Sequence, residues 1–327
     1  MLKIGLLGAS RIAVDAIIAP SKENPWFRVE SVAASTKSRA ICYAKQHSIP
    51  FADSSYQSLC DNPLIDLVYI GLPPFLHKKW TIAALEAGKA VLCEKPFAMN
   101  SKEASQMVSF ARQKGAVLLE AFHYRFHPLF KHVLQLVQSG GLGRLINIEA
   151  CFNIAVPHSA SEFRYDSAKG GGALMDLGCY PVHWLRTIAN EEPQCVDAKC
   201  AAQINDVDVA MEADFVFPSG VLGRIACSMS PELSQRVDAH LLIEASDGQI
   251  FVDNPLQPEL GSFVEVTDKN GSSKTSYEGA TFGYQLNHLR HVLEGQAQVL
   301  TGGADAVSNM KVLDQVYRMA GLRPRGM

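Results

Sequence analysis

A doubly wound parallel α/β sheet, followed by an α+β domain on a mostly antiparallel sheet, is the fold class this sequence predicts. Three observations carry it. Over residues 1–122, short apolar runs alternate with stretches of helical periodicity, as parallel strands with right-handed crossover helices require. Gly8 ends the first of those runs where a helical stretch begins. Farther on, apolar runs come in pairs around glycine-containing turns, the mark of antiparallel hairpins. The switch lies near residues 120–125 and divides the chain into domains 1–122 and 123–327.

In the first domain the strands are "KIGLLG" from Lys3, "RVESVAA" from Arg28, "DLVYIGL" from Asp66, "AVLCEKP" from Ala90 and "VLLEAF" from Val117. Between them "RIAVDAIIAP", "SRAICYAKQH", "HKKWTIAALEAG" and "SKEASQMVSFARQKG" space their apolar residues as helices do. Gly88 and Gly115 stand where a helix ends on glycine, and Ser101 suits an N-cap ahead of Ala104 and Met107. The second domain opens with a helix, "PLFKHVLQLVQSGG", then "RLINIEACFNI", then a helical stretch after the glycines at 170–172. Strand pairs follow in "ADFVFPSGVLGRIACS", "HLLIEASDGQIFVD" and "SFVEVTDKNGSSKTSY", with corners at Ser219-Gly220, Asp247-Gly248 and Asn270-Gly271. Helices around Tyr284–Leu293 and Asp305–Met319 close the chain.

Composition narrows the function. Of 327 residues, 47% are hydrophobic and 19% charged, which supplies a globular core and no disorder signature. A net charge of −3 leaves no basic footprint for nucleic acid. No apolar run is long enough to span a bilayer. The start, "MLKIGLLGAS", is too short for the apolar region of a signal peptide, so a cytoplasmic location is expected. Cys42, Cys60, Cys93, Cys151, Cys179, Cys195, Cys200 and Cys227 form no C-x-x-C pair and no Cys/His group with zinc spacing. Neither a metal nor a disulfide framework is expected.

The turn "GASRIA" has the parts of a dinucleotide site. Gly8 supplies the tight turn, Ala13 the close helix packing, and the helix N-terminus faces the pyrophosphate. Ser10 replaces the middle glycine, so backbone approach is poorer, while its hydroxyl can donate to phosphate. A bare strand–turn–helix is the alternative. At the end of the second strand, where an NAD site places Asp or Glu on the ribose, this chain has Ser35, Thr36, Lys37 and Arg39. Hydroxyls and cations suit a 2′-phosphate, so NADP(H) is expected over NAD(H); a solvated turn is the alternative.

The stretch "AVLCEKPFAMN" ends a buried strand on Glu94 and Lys95. Open parallel sheets bind ligands outside the carboxyl ends of their strands. Lys95 shares that edge with Gly8 and with the loop Gly71 to His77, which contains Pro73. Its ammonium is thereby expected beside the nicotinamide; a lysine snorkelling at a strand tip is the alternative. In "GGGALMDLGCYPVHWLR", Asp176, Tyr180 and His183 fall at i, i+4 and i+7, one stripe of a helix opposite Leu174, Leu177 and Leu185. A surface stripe is the alternative, and Pro181 predicts a departure from α geometry. A phenol is a poor acid–base near neutrality, but a neighbouring ammonium favours phenolate, so Tyr180 with Lys95 makes a workable pair for hydride transfer.

Together "GASRIA", "LCEKP", "EAFHYRFHP" and "GGGALMDLGCYPVH" resemble the Gfo/Idh/MocA oxidoreductases, nearest to their dimeric dihydrodiol dehydrogenase and NADP-dependent aldose (D-xylose) dehydrogenase branches, over nearly the whole chain. The resemblance implies a Rossmann domain, an open-faced sheet that dimerises sheet to sheet, and hydride chemistry on a sugar, cyclic polyol or diol. It implies that Lys95 polarises the reacting oxygen, that Tyr180 is the general acid–base, and that Asp176 is the family's helix aspartate. Gly8, Ser10, Arg11 and Ile12 match the pyrophosphate turn, with Gly71, Pro73, His77 and Glu94 around the cofactor. Arg125 and Phe126 match a segment near the nicotinamide pocket. The inositol-type branch carries His at the place of Tyr180 and Asp at that of His183, which disfavours an inositol-type substrate and leaves His183 as a substrate contact. Two rival readings share the fold: a non-catalytic nucleotide-sensing regulator, against which Lys95 with Tyr180 argues, and an NAD-dependent glycosidase, against which "STKSR" argues.

Overall fold

The computed structural model describes residues 1–159, 161–233 and 237–327. The chain divides into two compact units, Met1–His123 with Phe282–Val307, and Tyr124–Thr281 with Ser308–Met327. The segment Phe282–Val307, placed in the second domain by the sequence pattern, thus belongs with the first unit.

The first unit is built on a six-stranded sheet of β1 (Leu2–Leu7), β2 (Phe27–Ala33), β3 (Phe51–Ala52), β4 (Leu67–Ile70), β5 (Ala90–Cys93) and β6 (Leu118–Glu120). Every pairing is parallel, in the order β3-β2-β1-β4-β5-β6. The order reverses between β1 and β4, the place where open sheets of this kind bind ligands. Continuous apolar strands are expected where both faces are covered. Ile4, Leu6, Val32, Leu67, Tyr69, Leu92 and Leu119 indeed form one core, to which the helix Thr281–Leu293 adds Leu286, Leu289 and Val292. The helix Ser101–Lys114 starts one residue earlier than expected: Asn100, not Ser101, is its N-cap, its side chain accepting from Glu103 N–H. It ends on Gly115 at φ 60°, as expected.

The second unit carries an eight-stranded sheet of β7 (Leu145–Asn153), β8 (Gln194–Ile204), β9 (Val207–Val216), β10 (Leu222–Ser228), β11 (Asp238–Ala245), β12 (Gly248–Asp253), β13 (Ser262–Asp268) and β14 (Gly271–Tyr277). Their order is β14-β13-β12-β11-β7-β10-β9-β8, with only β7–β10 parallel. Alternation sorts the faces. Ile148, Ala150 and Phe152 of β7 and Ala239, Leu241 and Ile243 of β11 are buried on the side of the helix Cys179–Ala189. The opposite face shows Glu149, Asp238, Glu212 and Arg224. All three expected hairpins form at their Gly-containing corners. The edge strand β8 was missed because its residues, "QCVDAKCAAQI", are mostly exposed and carry little apolar alternation. Among the described residues no helix is long and apolar enough to cross a membrane.

Candidate active site

At the switch point of the first sheet, Gly8 has φ 111°, a conformation only glycine adopts freely. A Cβ there would lie 2.6 Å from the Gly71 carbonyl oxygen, and one on Gly71 would lie 2.7 Å from Ser10 Oγ. The turns after β1 and β4 are therefore packed backbone to backbone. Ser10 Oγ accepts from Ala13 N–H at 3.4 Å, just ahead of the helical segment Val14–Ile18. Ala13 is fully buried, while Arg11 and Ile12 are exposed at the helix start. This leaves a glycine-lined helix N-terminus of the kind that binds anions.

At the end of β2, Thr36 caps the helix Lys37–His47 by accepting from Arg39 N–H at 3.3 Å. Arg39 Nη1 donates to Ser35 Oγ at 3.0 Å. Ser35, Thr36, Lys37 and Arg39 are all exposed, and no carboxylate occurs from Ala34 to His47. Two hydroxyls, a guanidinium and a helix N-terminus form one electropositive corner.

His77 proves to be fully buried. Its Nε2 lies 2.6 Å from Leu72 O, and its Nδ1 lies 3.0 Å from Pro96 O and 3.3 Å from Phe97 O. Burial depresses its pKa. With both ring nitrogens engaged by backbone carbonyls, its part is to hold the β4 and β5 loops together. Pro73 lies in the first of those loops. Glu94 is similarly structural: Oε1 accepts from the buried Tyr69 hydroxyl at 2.7 Å and Oε2 from Lys95 N–H at 3.2 Å. Burial, then Glu94, pushes the Tyr69 pKa well up, so the phenol stays a donor. These bonds orient the backbone from which the half-buried Lys95 projects. Lys95 in turn acts on His123, whose pKa is lowered to about 3, first by burial and then by that charge.

The second unit gathers a different set. Tyr124 is fully buried and its hydroxyl is hydrogen-bonded to His183 Nδ1. Its ring centroid lies 6.0 Å from Tyr180, 5.8 Å from His183 and 5.7 Å from Trp184. Tyr180 also meets Phe152 edge-on at 5.7 Å. Asp176 is held by Arg164 Nε at 2.6 Å, with Glu162 on the same guanidinium at 3.0 Å. Leu174–Gly178 is π-helical and Cys179–Ala189 is α-helical. Each π turn takes up about one residue more than an α turn. The departure from α geometry expected at Pro181 does not occur there: Tyr180 and Pro181 lie in the first turn of the α-helix Cys179–Ala189, and the π turn precedes them. Arg125 lies over the Phe130 ring at 5.9 Å, and Phe126, 1% exposed, belongs to the packed interior.

A buried network seats the start of that helix. Asp208 Oδ2 accepts from Leu174 N–H at 2.7 Å, and Oδ1 accepts from Tyr317 at 2.9 Å and from Arg325 Nη2 at 2.5 Å. Arg325 Nε donates to Gly171 O at 2.7 Å. Gly172 takes φ 134° here, and a Cβ on it would crowd the Tyr317 hydroxyl at 2.8 Å. Sequence reasoning missed Tyr124, His123, Arg164 and Arg325. The first two stand inside "EAFHYRFHP", but nothing in their spacing marks their partners.

Comparison with known proteins agrees with this layout. Residues 2–122 match a family described as oxidoreductase family, NAD-binding Rossmann fold. Residues 130–250 match the GFO/IDH/MocA C-terminal domain. A trans-1,2-dihydrobenzene-1,2-diol dehydrogenase of Bos taurus is 34% identical over 313 residues, covering 90% of this chain and 88% of its own. D-xylose 1-dehydrogenase (NADP(+)) 2 of Haloferax volcanii is 28% identical over 322 residues, covering 98% and 97%. The structure of an aldose-aldose oxidoreductase from Caulobacter crescentus superposes with a TM-score of 0.87 at 24% identity, covering 98% of this chain and 97% of that one, a likeness of fold.

Proposed function

This chain belongs to the Gfo/Idh/MocA oxidoreductase family, and from that premise we propose an NADP-dependent dehydrogenase or reductase acting on an aldose or cyclic diol. The nicotinamide, when bound, supplies or takes the hydride at the carbinol carbon. Everything else is done by the chain. The Gly8–Ser10 turn and the helix N-terminus behind it receive the pyrophosphate. Ser35, Thr36 and Arg39 receive the 2′-phosphate, the guanidinium already oriented by Ser35. Lys95 polarises the reacting oxygen, and its charge favours the phenolate of Tyr180, which takes the proton on oxidation and returns it on reduction. Asp176, salt-bridged to Arg164, completes the catalytic set with Lys95 and Tyr180. His183 and Arg125 serve the substrate.

One observation carries the reading. In the first unit the Gly8 turn, the Ser35–Arg39 corner and the half-buried Lys95 follow the carboxyl ends of β1, β2 and β5 of one parallel sheet, where such sheets take dinucleotides. The relatives support the substrate class: one is named for a trans-dihydrodiol and one for D-xylose with NADP(+). All eight cysteines are free thiols, which supports a reducing cytoplasm as the setting. The open face of the eight-stranded sheet supports a homodimer through that sheet.

The deciding experiment is Tyr180→Phe assayed against D-xylose, other aldoses and trans-dihydrodiols. We expect turnover to fall about 100-fold or more with NADPH binding nearly unchanged. Wild-type turnover in this variant would remove Tyr180 from the chemistry.

A further inference from the structure

The antiparallel pairing of β7 with β11 sets Cys151 directly opposite His240 and Asn153 directly opposite Asp238. All four side chains project from the face of the sheet that the helix Cys179–Ala189 leaves uncovered. Cys151 Sγ lies 3.1 Å from His240 Nδ1 and 3.7 Å from Asp238 Oδ1, and these two lie 3.0 Å from each other. We propose that Cys151, His240 and Asp238 form a divalent transition-metal site, with Zn²⁺ as its ion. A fourth position is left to water.

The geometry supports this in three ways. Zinc bonds of about 2.0–2.3 Å to sulfur, nitrogen and oxygen at tetrahedral angles give donor–donor edges of about 3.4–3.6 Å. The observed triangle of 3.0, 3.1 and 3.7 Å is that face of a tetrahedron with shifts of a few tenths of an ångström. The donor set is also selective, because a thiolate with an imidazole and one carboxylate suits zinc and disfavours Mg²⁺ or Ca²⁺. Finally, the carboxylate is aimed from behind. Asn153 Nδ2 donates to Asp238 Oδ2 at 3.0 Å, which turns Oδ1 toward the sulfur and the imidazole. In the single chain Asp238 is exposed and His240 half-buried, while Cys151 is buried. On binding, the Cys151 proton passes to solvent and the thiolate occupies the metal.

Nothing in this site depends on the oxidoreductase reading. It lies on the face assigned above to a dimer, where two ions per dimer and one per monomer give the same stoichiometry.

The test is titration of the chelator-stripped protein with Co²⁺, followed by displacement with Zn²⁺. We expect one Co²⁺ per chain, a thiolate-to-cobalt charge-transfer band in the near ultraviolet and the intense visible bands of tetrahedral cobalt, all lost as Zn²⁺ is added. Cys151→Ser should abolish the charge-transfer band, His240→Asn should weaken Zn²⁺ at least about tenfold, and Asn153→Ala by about tenfold. Cys42→Ser, at an exposed cysteine elsewhere, should change nothing. Absence of the charge-transfer band in the wild type, or its survival in folded Cys151→Ser, would overturn the proposal and leave a hydrogen-bonded cluster. Should Cys151→Ser fail to fold, Asp238→Asn at the exposed ligand decides instead, unaltered cobalt affinity counting against the site.

Discussion

Replacing Arg39 by alanine isolates the 2′-phosphate from the rest of the cofactor. The guanidinium is exposed and oriented by one bond of 3.0 Å from Nη1 to Ser35 Oγ, which leaves its remaining donors for an anion. A hydrogen bond to a charged group contributes about 1.5–3 kcal/mol. Because Arg39 is exposed, solvent screening places it at the lower end of that range. About 1.4 kcal/mol corresponds to a factor of ten in affinity. NADPH should therefore bind roughly tenfold more weakly, while NADH, which has no 2′-phosphate, should change less than about twofold. The assay is a fluorescence titration of each reduced nucleotide at fixed ionic strength. Repeating it at higher salt should shrink the difference between wild type and variant, because a surface charge is being screened. Ser35→Asp supplies the converse, a carboxylate at the end of β2 that repels phosphate and accepts from the ribose 2′-hydroxyl. It should lower NADPH affinity further and raise that for NADH. Equal losses of both nucleotides in Arg39→Ala would refute the assignment of Ser35, Thr36 and Arg39 to the 2′-phosphate.

Two further expectations concern stability. Arg325→Met leaves the fully buried Asp208 carboxylate without its guanidinium, which should cost about 3–5 kcal/mol. For a chain of this size that is a fall in Tm of roughly 10 °C, and an unchanged melting curve would count against the network. His123 is held neutral, its pKa about 3 against an ordinary 6.5, first by burial and then by Lys95. The unfolded chain therefore takes up this proton first. The stabilisation is complete above about pH 6.5 and drains away toward about pH 3, with a slope of up to about 1.4 kcal/mol per pH unit. His123→Asn should flatten that part of the curve in urea unfolding at stepped pH, and a variant curve parallel to wild type would contradict it.

The parallel sheet, the turn at Gly8, the three hairpins and the absence of a carboxylate beyond β2 were all legible in the sequence. Each rests on a local regularity: alternation of apolar runs, a glycine at a set offset, or a dipeptide with a strong turn preference. Edge strand β8 escaped because a strand exposed on most of its surface has no apolar period to read. The polar stripe Asp176, Tyr180 and His183 was visible as spacing, but the spacing does not name the partners that the structure gives it, Arg164 for Asp176 and Tyr124 for Tyr180 and His183. The return of Phe282–Val307 to the first unit, the Asp208–Arg325 pair across more than a hundred residues, and the meeting of Cys151 with Asp238 and His240 leave no mark on local pattern. They depend on strand register and helix phase, where a slip of one residue turns every side chain to the other face. Register is set by the summed packing of the whole sheet, so tertiary structure alone selects which distant polar groups come within a bond length.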